Sequence, residues 1–358
     1  MNDVSSIPLA ANAVPAIPQQ ARPVVNRLRE LRIAVVIPLY NGGKFIQEAI
    51  ESVLNQTLPP AEFIVVDDGS TDNGPEIVAG MAARHPIRLL RKANGGQASA
   101  RNFGIAHTTS EFIALLDQDD AWYSDHLEQL VRPFLAKRSP KLGWVYGNLD
   151  EVDEAGGLVA RSMLRFGPSP HPKRDLFECL SSDMFVLPSA TIIAREAFDA
   201  VGGFDERLAG YEDDDLFLRI FRAGFDNVFI NRGMTRWRIF GGSASYSPRM
   251  AVSRMIYFRK LLEEYPDDPA HGRFYAKNYL APRFFPWMAH QYMNALRHGG
   301  AAEFTVALQN LQFVTRRHKP RARIVMALML PVLRWRFLAK LLMPLTPGVR
   351  PLIRRLLR

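Results

Sequence analysis

Phe63-Ile64-Val65-Val66-Asp67-Asp68-Gly69-Ser70-Thr71-Asp72 joins a four-residue apolar run to a loop of acidic and turn-forming residues. An apolar run this short, bounded by Asp, Gly and Ser, is the pattern of a buried strand, and the polar loop falls where the chain reverses into a helix. Working outward, similar runs occur at Ile33 to Ile37, Ile87 to Leu90 and Phe112 to Leu116. Between and after them, amphipathic stretches predict helices over Lys44 to Asn55, Gly74 to Arg84, Ala98 to Ala106 and Tyr123 to Lys137. This alternation predicts an α/β fold, a mostly parallel, doubly wound sheet with flanking helices. Sheets of that kind bind ligands beyond the carboxyl ends of their strands.

Three polar loops fall at those ends: Pro38-Leu39-Tyr40-Asn41-Gly42, Asp67 to Asp72, and Asp117-Gln118-Asp119-Asp120. Asp117 and Asp119, one residue apart at a strand end, suit Mg2+ or Mn2+, hard cations that prefer oxygen ligands and share their coordination with substrate phosphates. The same residues also read as a solvated acidic turn before a helix capped by Ser124 or Asp125. Asp67 and Asp68 can accept hydrogen bonds from the imide N–H of a uracil or from ribose hydroxyls. They equally fit a plain turn in which Ser70 or Asp72 caps the next helix.

Asn94-Gly95-Gly96-Gln97 opens the helix that carries Arg101, and paired glycines allow a ligand close to the backbone. Arg101 then reaches a diphosphate, or else stays solvated on a surface turn. Glu212-Asp213-Asp214-Asp215 opens a helix running to Arg222. Carboxylates in a first turn suit the helix dipole, and one of them facing a cleft is placed to act as a general base.

With 358 residues, 47% of them hydrophobic, the chain can bury a core, and its length suggests roughly two domains. One cysteine, Cys179, excludes an intramolecular disulfide and a Cys-rich zinc site, favours a reducing compartment, and reads as a core residue. The net charge of +9 is unevenly spread, because no Asp or Glu occurs from Arg316 to Arg358. There Arg321, Arg323, Arg334, Arg336, Lys340, Arg350, Arg354, Arg355 and Arg358 interleave with apolar residues, Trp335 and Phe337. Helices lying in an anionic membrane interface have this composition; so does a helix packed on the rest of the protein with a basic outer face. No nucleic-acid readout motif accompanies the charge, so nucleic acid is not expected as a partner.

Residues 1–30, with Pro8, Pro15, Pro18 and Pro23, read as a flexible leader without a secretory signal. Asp150 to Leu187, rich in Pro, Gly and charge, reads as an insertion around a less regular subdomain. The expected organisation is a leader (1–30), an α/β domain (31–247) and a helical C-terminal region with a basic amphipathic tail (248–358). No apolar run in that region approaches the ~18 residues needed to span a bilayer. The expected location is cytoplasmic, peripheral on the inner face of the cell membrane.

In this order, the segments from Ile33 to Ser245 resemble the family 2 glycosyltransferases, inverting enzymes of GT-A fold that use nucleotide-diphospho-sugars. Ile33 to Asn41 is similar to the family's opening strand, Ser52 to Thr57 to the end of its first helix, and Phe63 to Asp72 to its nucleoside-binding loop. Asn94 to Asn102 resembles the donor-side Gly-rich segment, Asp117 to Asp120 the metal-binding motif, and Glu212 to Arg219 the catalytic acidic helix.

The resemblance implies that Pro38, Tyr40, Asn41, Asp67, Asp68, Gly95, Arg101, Asp117 and Gln118 surround the donor nucleotide. Asp67 faces the nucleobase and Asp68 the nucleoside, while Asp117 and Asp119 serve the ribose and the metal-bound diphosphate. Asp213 is the implied base and Mn2+ or Mg2+ the implied cofactor. Glu212, Asp214, Trp237 and Arg238 fall on the acceptor side. Asp120, Glu212 and Asp214 stay open as alternative ligands or bases.

A UDP-sugar is the first guess for the donor, and a lipid-linked or cell-surface glycan for the acceptor. Two departures from the family pattern stand out. Phe240 occupies the place of a His common in relatives, so a closing contact in that loop falls to Arg238 or Ser243. Gly233 stands three residues before Arg236-Trp237, where processive synthases carry Gln, which favours one transfer per encounter. Two other readings compete. One is an Asp-dependent phosphohydrolase using Asp67 or Asp68, although Gly69 and Ser70 stand where its second acid belongs. The other is a catalytically silent nucleotide-binding protein, against which the intact Asp117, Asp119 and Asp213 argue.

Overall fold

The computed structural model describes residues 27–28, 30–136, 140–167, 169–241 and 248–337. Most of the leader, Ser243 and the tail from 338 onward, with Lys340, Arg350, Arg354, Arg355 and Arg358, lie outside the described residues.

Four strands form the parallel half of the sheet: β1 (Ile33–Leu39), β2 (Glu62–Asp67), β3 (Arg88–Arg91) and β4 (Phe112–Leu115). Five more follow: β5 (Ala121–Trp122), β6 (Leu142–Val152), β7 (Leu158–Ala160), β8 (Thr191–Ala194) and β9 (Asp226–Arg238). Among the described residues they make one nine-stranded sheet in the order β3-β2-β1-β4-β8-β6-β9-β5, with β7 on β6. β8 runs antiparallel to β4 and β6, whereas β6 and β9 are parallel. The sheet is mixed, and its mostly parallel part holds the expected loops.

β1 is buried along its whole length because its residues alternate between two packed faces. Val35 and Ile37 point to α1 (Ile46–Leu54), α2 (Gly74–Ala82) and α4 (His126–Val131). Val36 points to a larger cluster with α3 (Gln97–Ala106) and α7 (Glu212–Arg222). That cluster continues without a break through α8 (Pro248–Glu264), α9 (Ala281–His298), α10 (Ala301–Thr315) and α11 (Pro320–Arg334), taking in Tyr257, Phe284, Leu311 and Met326. The C-terminal helices therefore share the core of the sheet. Two short helices, α5 (Leu176–Ser181) and α6 (Arg195–Ala200), flank β8 in sequence.

The stretch beginning at Asp150, expected to be irregular, starts inside β6 at the centre of the sheet. Polar residues disguise the strand, yet buried Asn148 and Asp150 are satisfied. Asn148 Oδ1 accepts from Leu149 N and Leu164 N, and Asp150 accepts from Ser162 N and the Tyr123 hydroxyl. Burying a hydrogen-bonded polar group carries little penalty, so strand pairing wins over composition. The helix expected over Tyr123 to Lys137 is shorter, an α-helical stretch to Val131 continued as a 3-10 turn to Leu135, because Pro133 lacks the N–H that would extend it.

Candidate active site

The three loops expected to converge do so, held together by side chains. Gln118 grips Tyr40 from both sides, its Oε1 accepting from Tyr40 N at 2.8 Å and its Nε2 donating to Tyr40 O at 3.1 Å. Asn41, in the left-handed region at φ 49°, donates its amide to Ser70 Oγ and accepts from Thr71 N at 2.8 Å. Tyr40 is exposed and Pro38 is buried at the end of β1.

Asp67 and Asp68 differ in what they hold. Asp67 Oδ1 accepts from Ser70 N at 2.8 Å and closes its own turn. Asp68 accepts from Lys92 Nζ at 2.7 Å, from Gly95 N at 3.0 Å and from Gly96 N at 2.7 Å. Gly96 sits at φ +88°, a conformation side chains disfavour, and leads directly into α3. Asp68 is thus committed to shaping the Gly-rich turn.

Arg101 also departs from expectation. Its side chain is only 1% exposed, with Nη2 2.6 Å from Asp117 Oδ1 and Nη1 2.9 Å from Glu212 Oε1. Burial works against its charge, but the two carboxylates keep it protonated. Instead of reaching a diphosphate, the guanidinium is a buried strut joining the strand-four loop to α7. Gln97 Nε2 adds a 2.8 Å bond to Asp117 Oδ1, and Asp117 N donates to Ser189 Oγ.

Arg238, expected on the acceptor side, is likewise enclosed. Its Nε donates to Asp119 O, its Nη1 to Asp153 O and Glu154 O, and its Nη2 pairs with Glu48 at 2.5 Å. Its amide donates to Asp120 Oδ1, which is buried. Arg238 therefore braces the Asp117 to Asp120 loop from below. Asp119 is half-buried beside it, its carboxyl pushed up to about 6 by burial and by the negative charge of Asp117.

The four acids of α7 separate once their neighbours are known. Glu212 belongs to Arg101. Asp214 accepts from Met184 N at 2.5 Å, the Tyr257 hydroxyl at 2.6 Å and Arg283 Nη2 at 2.7 Å. Asp215 pairs with Arg219 and with Lys260 Nζ at 2.6 Å. Asp213 accepts only the amide of Asp214, and no cation forms an ion pair with it among the described residues. Burial, then Glu212 and Asp214, holds its carboxyl well above the ordinary range. Asp214 is turned into the protein rather than toward an acceptor.

Trp237 is half-buried, its ring edge-on to Phe185 at 6.1 Å, and Phe240 packs on Phe45 at 5.1 Å. At Gly233 a Cβ would lie 2.4 Å from the carboxylate of Asp150, so a side chain at the place of the processive Gln would have to displace Asp150. Among the described residues no three His, Cys, Asp or Glu side chains form a metal cage. The donor set at Asp117 and Asp119 still suits a hard cation that takes most of its ligands from diphosphate and water.

The family model described as Glycosyl transferase family 2 matches residues 34–202. The glycosyltransferase GlyG of Streptococcus pneumoniae is 32% identical over 219 residues, covering 59% of this chain and 72% of GlyG. The chain belongs to glycosyl transferase family 2. It spans only 31% to 34% of the length of the uncharacterized Rickettsia glycosyltransferases that it also matches. Two solved structures share the fold. S. aureus TarS 1-349 in complex with UDP-GlcNAc has a TM-score of 0.59 at 19% identity, covering 86% of this chain and 87% of that one. The mannosyltransferase PcManGT of Pyrobaculum calidifontis, in complex with GDP-Man and Mn2+, has a TM-score of 0.54 at 19% identity, covering 87% and 86%.

The family match ends before α7, and sequence reasoning missed the residues that sort its acids: Met184, Tyr257, Lys260 and Arg283. The available signal was Arg283 standing alone in the apolar and aromatic run from Tyr279 to Trp287, where burial would demand an acidic partner.

Proposed function

We propose that the chain is an inverting glycosyltransferase that moves a sugar from a nucleoside-diphosphate donor, with a UDP-sugar first, to the hydroxyl of a lipid-linked or cell-surface glycan at the cytoplasmic face of the membrane. The observation that carries this reading is Asp213, the one carboxylate of its cluster without an ion-paired cation among the described residues, on a helix braced against the loop of Asp117 and Asp119. The bound TarS and PcManGT complexes, with UDP-GlcNAc and GDP-Man, support the donor class.

In this mechanism Asp67 and Tyr40 border the nucleobase, and Gly95 lets the backbone approach the donor. Asp119, with Asp117, would hold a divalent cation, Mn2+ or Mg2+, which would supply charge neutralisation at the departing diphosphate. Asp213 takes the proton of the acceptor hydroxyl as its oxygen bonds to the anomeric carbon. The bond to the diphosphate oxygen breaks in the same displacement, so the anomeric centre inverts. Trp237 lies on the acceptor side, while Glu212, Asp214 and Arg238 act through the loops they brace.

The test is nucleoside diphosphate release from a panel of nucleotide sugars, with Mn2+ or Mg2+ and membrane extract as acceptor. Release with one donor, abolished by chelation and by Asp213→Asn, is the expected result. Donor binding without turnover under every condition would move the assignment to a silent nucleotide-binding protein.

A further inference from the structure

The outer face of α11 is apolar where water-facing helices are polar. Ile324, Leu328, Pro331 and Trp335 follow at helical spacing, and Ile324 is 61%, Leu328 75% and Trp335 69% exposed. Phe337 continues the stripe at 77% exposure. Ala322 and Met326, on the opposite side, are buried against the preceding helices. Arg321 flanks the stripe on one side and Arg323 and Arg334 on the other, as the helical repeat requires.

None of Arg316, Arg321, Arg323 or Arg334 has a carboxylate within ion-pair distance among the described residues. None is available locally, since the sequence carries no Asp or Glu from Phe304 to Arg358. Beside the stripe, a cavity of about 500 Å³ lies between α10 and α11, with Gln312, Thr315, Ile324 and Met326 in its walls and Arg316 and Arg323 among its lining residues.

We propose that this face docks on an anionic lipid bilayer, with the aliphatic stripe and Trp335 entering the headgroup boundary and Arg316 and Arg323 binding a lipid phosphate at the cavity. Large exposed apolar side chains gain from leaving water, and unpaired guanidiniums gain from an anionic surface; a bilayer of acidic lipids offers both on one plane. A second copy of the chain would bring arginine against arginine. Nucleic acid offers phosphates but no apolar layer for Ile324 and Leu328. Among the described residues no helix is long and apolar enough to cross a membrane, so the contact lies in the interface plane. The proposal deepens the membrane-face reading above, and it is tested without turnover so that either can fail alone.

Full-length protein is floated with phosphatidylcholine vesicles with and without phosphatidylglycerol, at low and high salt. Binding is expected only with phosphatidylglycerol, weakened by salt. Each arginine near an anionic surface contributes roughly a fivefold factor, so Arg316→Gln/Arg321→Gln/Arg323→Gln should bind on the order of 100-fold more weakly. Ile324→Glu/Leu328→Glu should also lose vesicles while keeping the wild-type urea unfolding midpoint, since both side chains are exposed. Equal binding to neutral vesicles, or stripe and arginine variants that bind like wild type, overturns the proposal. So does a wild-type dimer that the stripe variant dissociates, since the face then belongs to a second copy.

Discussion

At the residue scale, the site is a problem of placing negative charge. Asp117, Asp119, Asp120, Glu212, Asp213 and Asp214 lie on two elements that face each other, and buried arginines make this possible. Removing Arg101 leaves Asp117 and Glu212 enclosed without their cation. Arg101→Met should therefore lower the unfolding free energy by about 3–5 kcal/mol, measured by denaturant titration. A loss below ~1 kcal/mol would mean that the strut is dispensable.

Asp213 carries a different expectation. Its carboxyl is raised by burial and by Glu212 and Asp214, so it holds its proton to higher pH than a free aspartate does. Activity should fall as pH drops through that raised value, putting the acid limb of kcat above the usual carboxylate range. Asp213→Asn should cost on the order of 10²–10⁴ in kcat with little change in donor binding. An acid limb at the ordinary aspartate value would show that another group is the base.

At the element scale, α7 is held from behind by helices outside the matched family segment. Arg283 of α9 joins Asp214 to Asp183 at 2.7 and 2.9 Å, Tyr257 of α8 donates to Asp214, and Lys260 of α8 holds Asp215. This fixes the start of the helix that presents Asp213. Arg283→Met should reduce kcat up to about 100-fold through misplacement of the base, leaving the donor KM near wild type. Arg283→Lys, which keeps one ion pair, should recover part of that loss. A rise in KM with unchanged kcat would instead connect Arg283 to donor binding.

At the scale of the whole molecule, one core runs from β1 to α11, so global unfolding reports on groups far from the cleft. His126, at the first turn of α4, is stacked on Trp122 with ring centroids 4.2 Å apart, hydrogen-bonded to Met234 O through Nδ1, and left with a buried Nε2 that has no partner. Burial pushes it down to about 3. The unfolded chain therefore binds the proton first. This contribution is intact above the ordinary histidine value of roughly 6.5 and is lost as pH falls from there toward 3. Between those limits the wild type should lose up to about 1.4 kcal/mol per pH unit more than His126→Gln. Equal slopes in urea unfolding would show that His126 takes its proton without unfolding.

The sequence by itself determined the parallel half of the sheet and the three loops at its edge, because short apolar runs followed by Asp, Gly and Ser are local signals that need no distant partner. It determined the acidic clusters in the same way. Only the tertiary structure decided which member of each cluster is spoken for. Asp68 closes a turn, Glu212 meets Arg101, and Asp214 meets Arg283, across separations of 27, 111 and 69 residues. Neighbouring carboxylates are alike in sequence, and they differ only in the cations and amides that folding brings to them. The end of β6 was hidden for the same reason: Asp150 reads as the start of an irregular stretch until Tyr123 and Ser162 from elsewhere in the chain satisfy it.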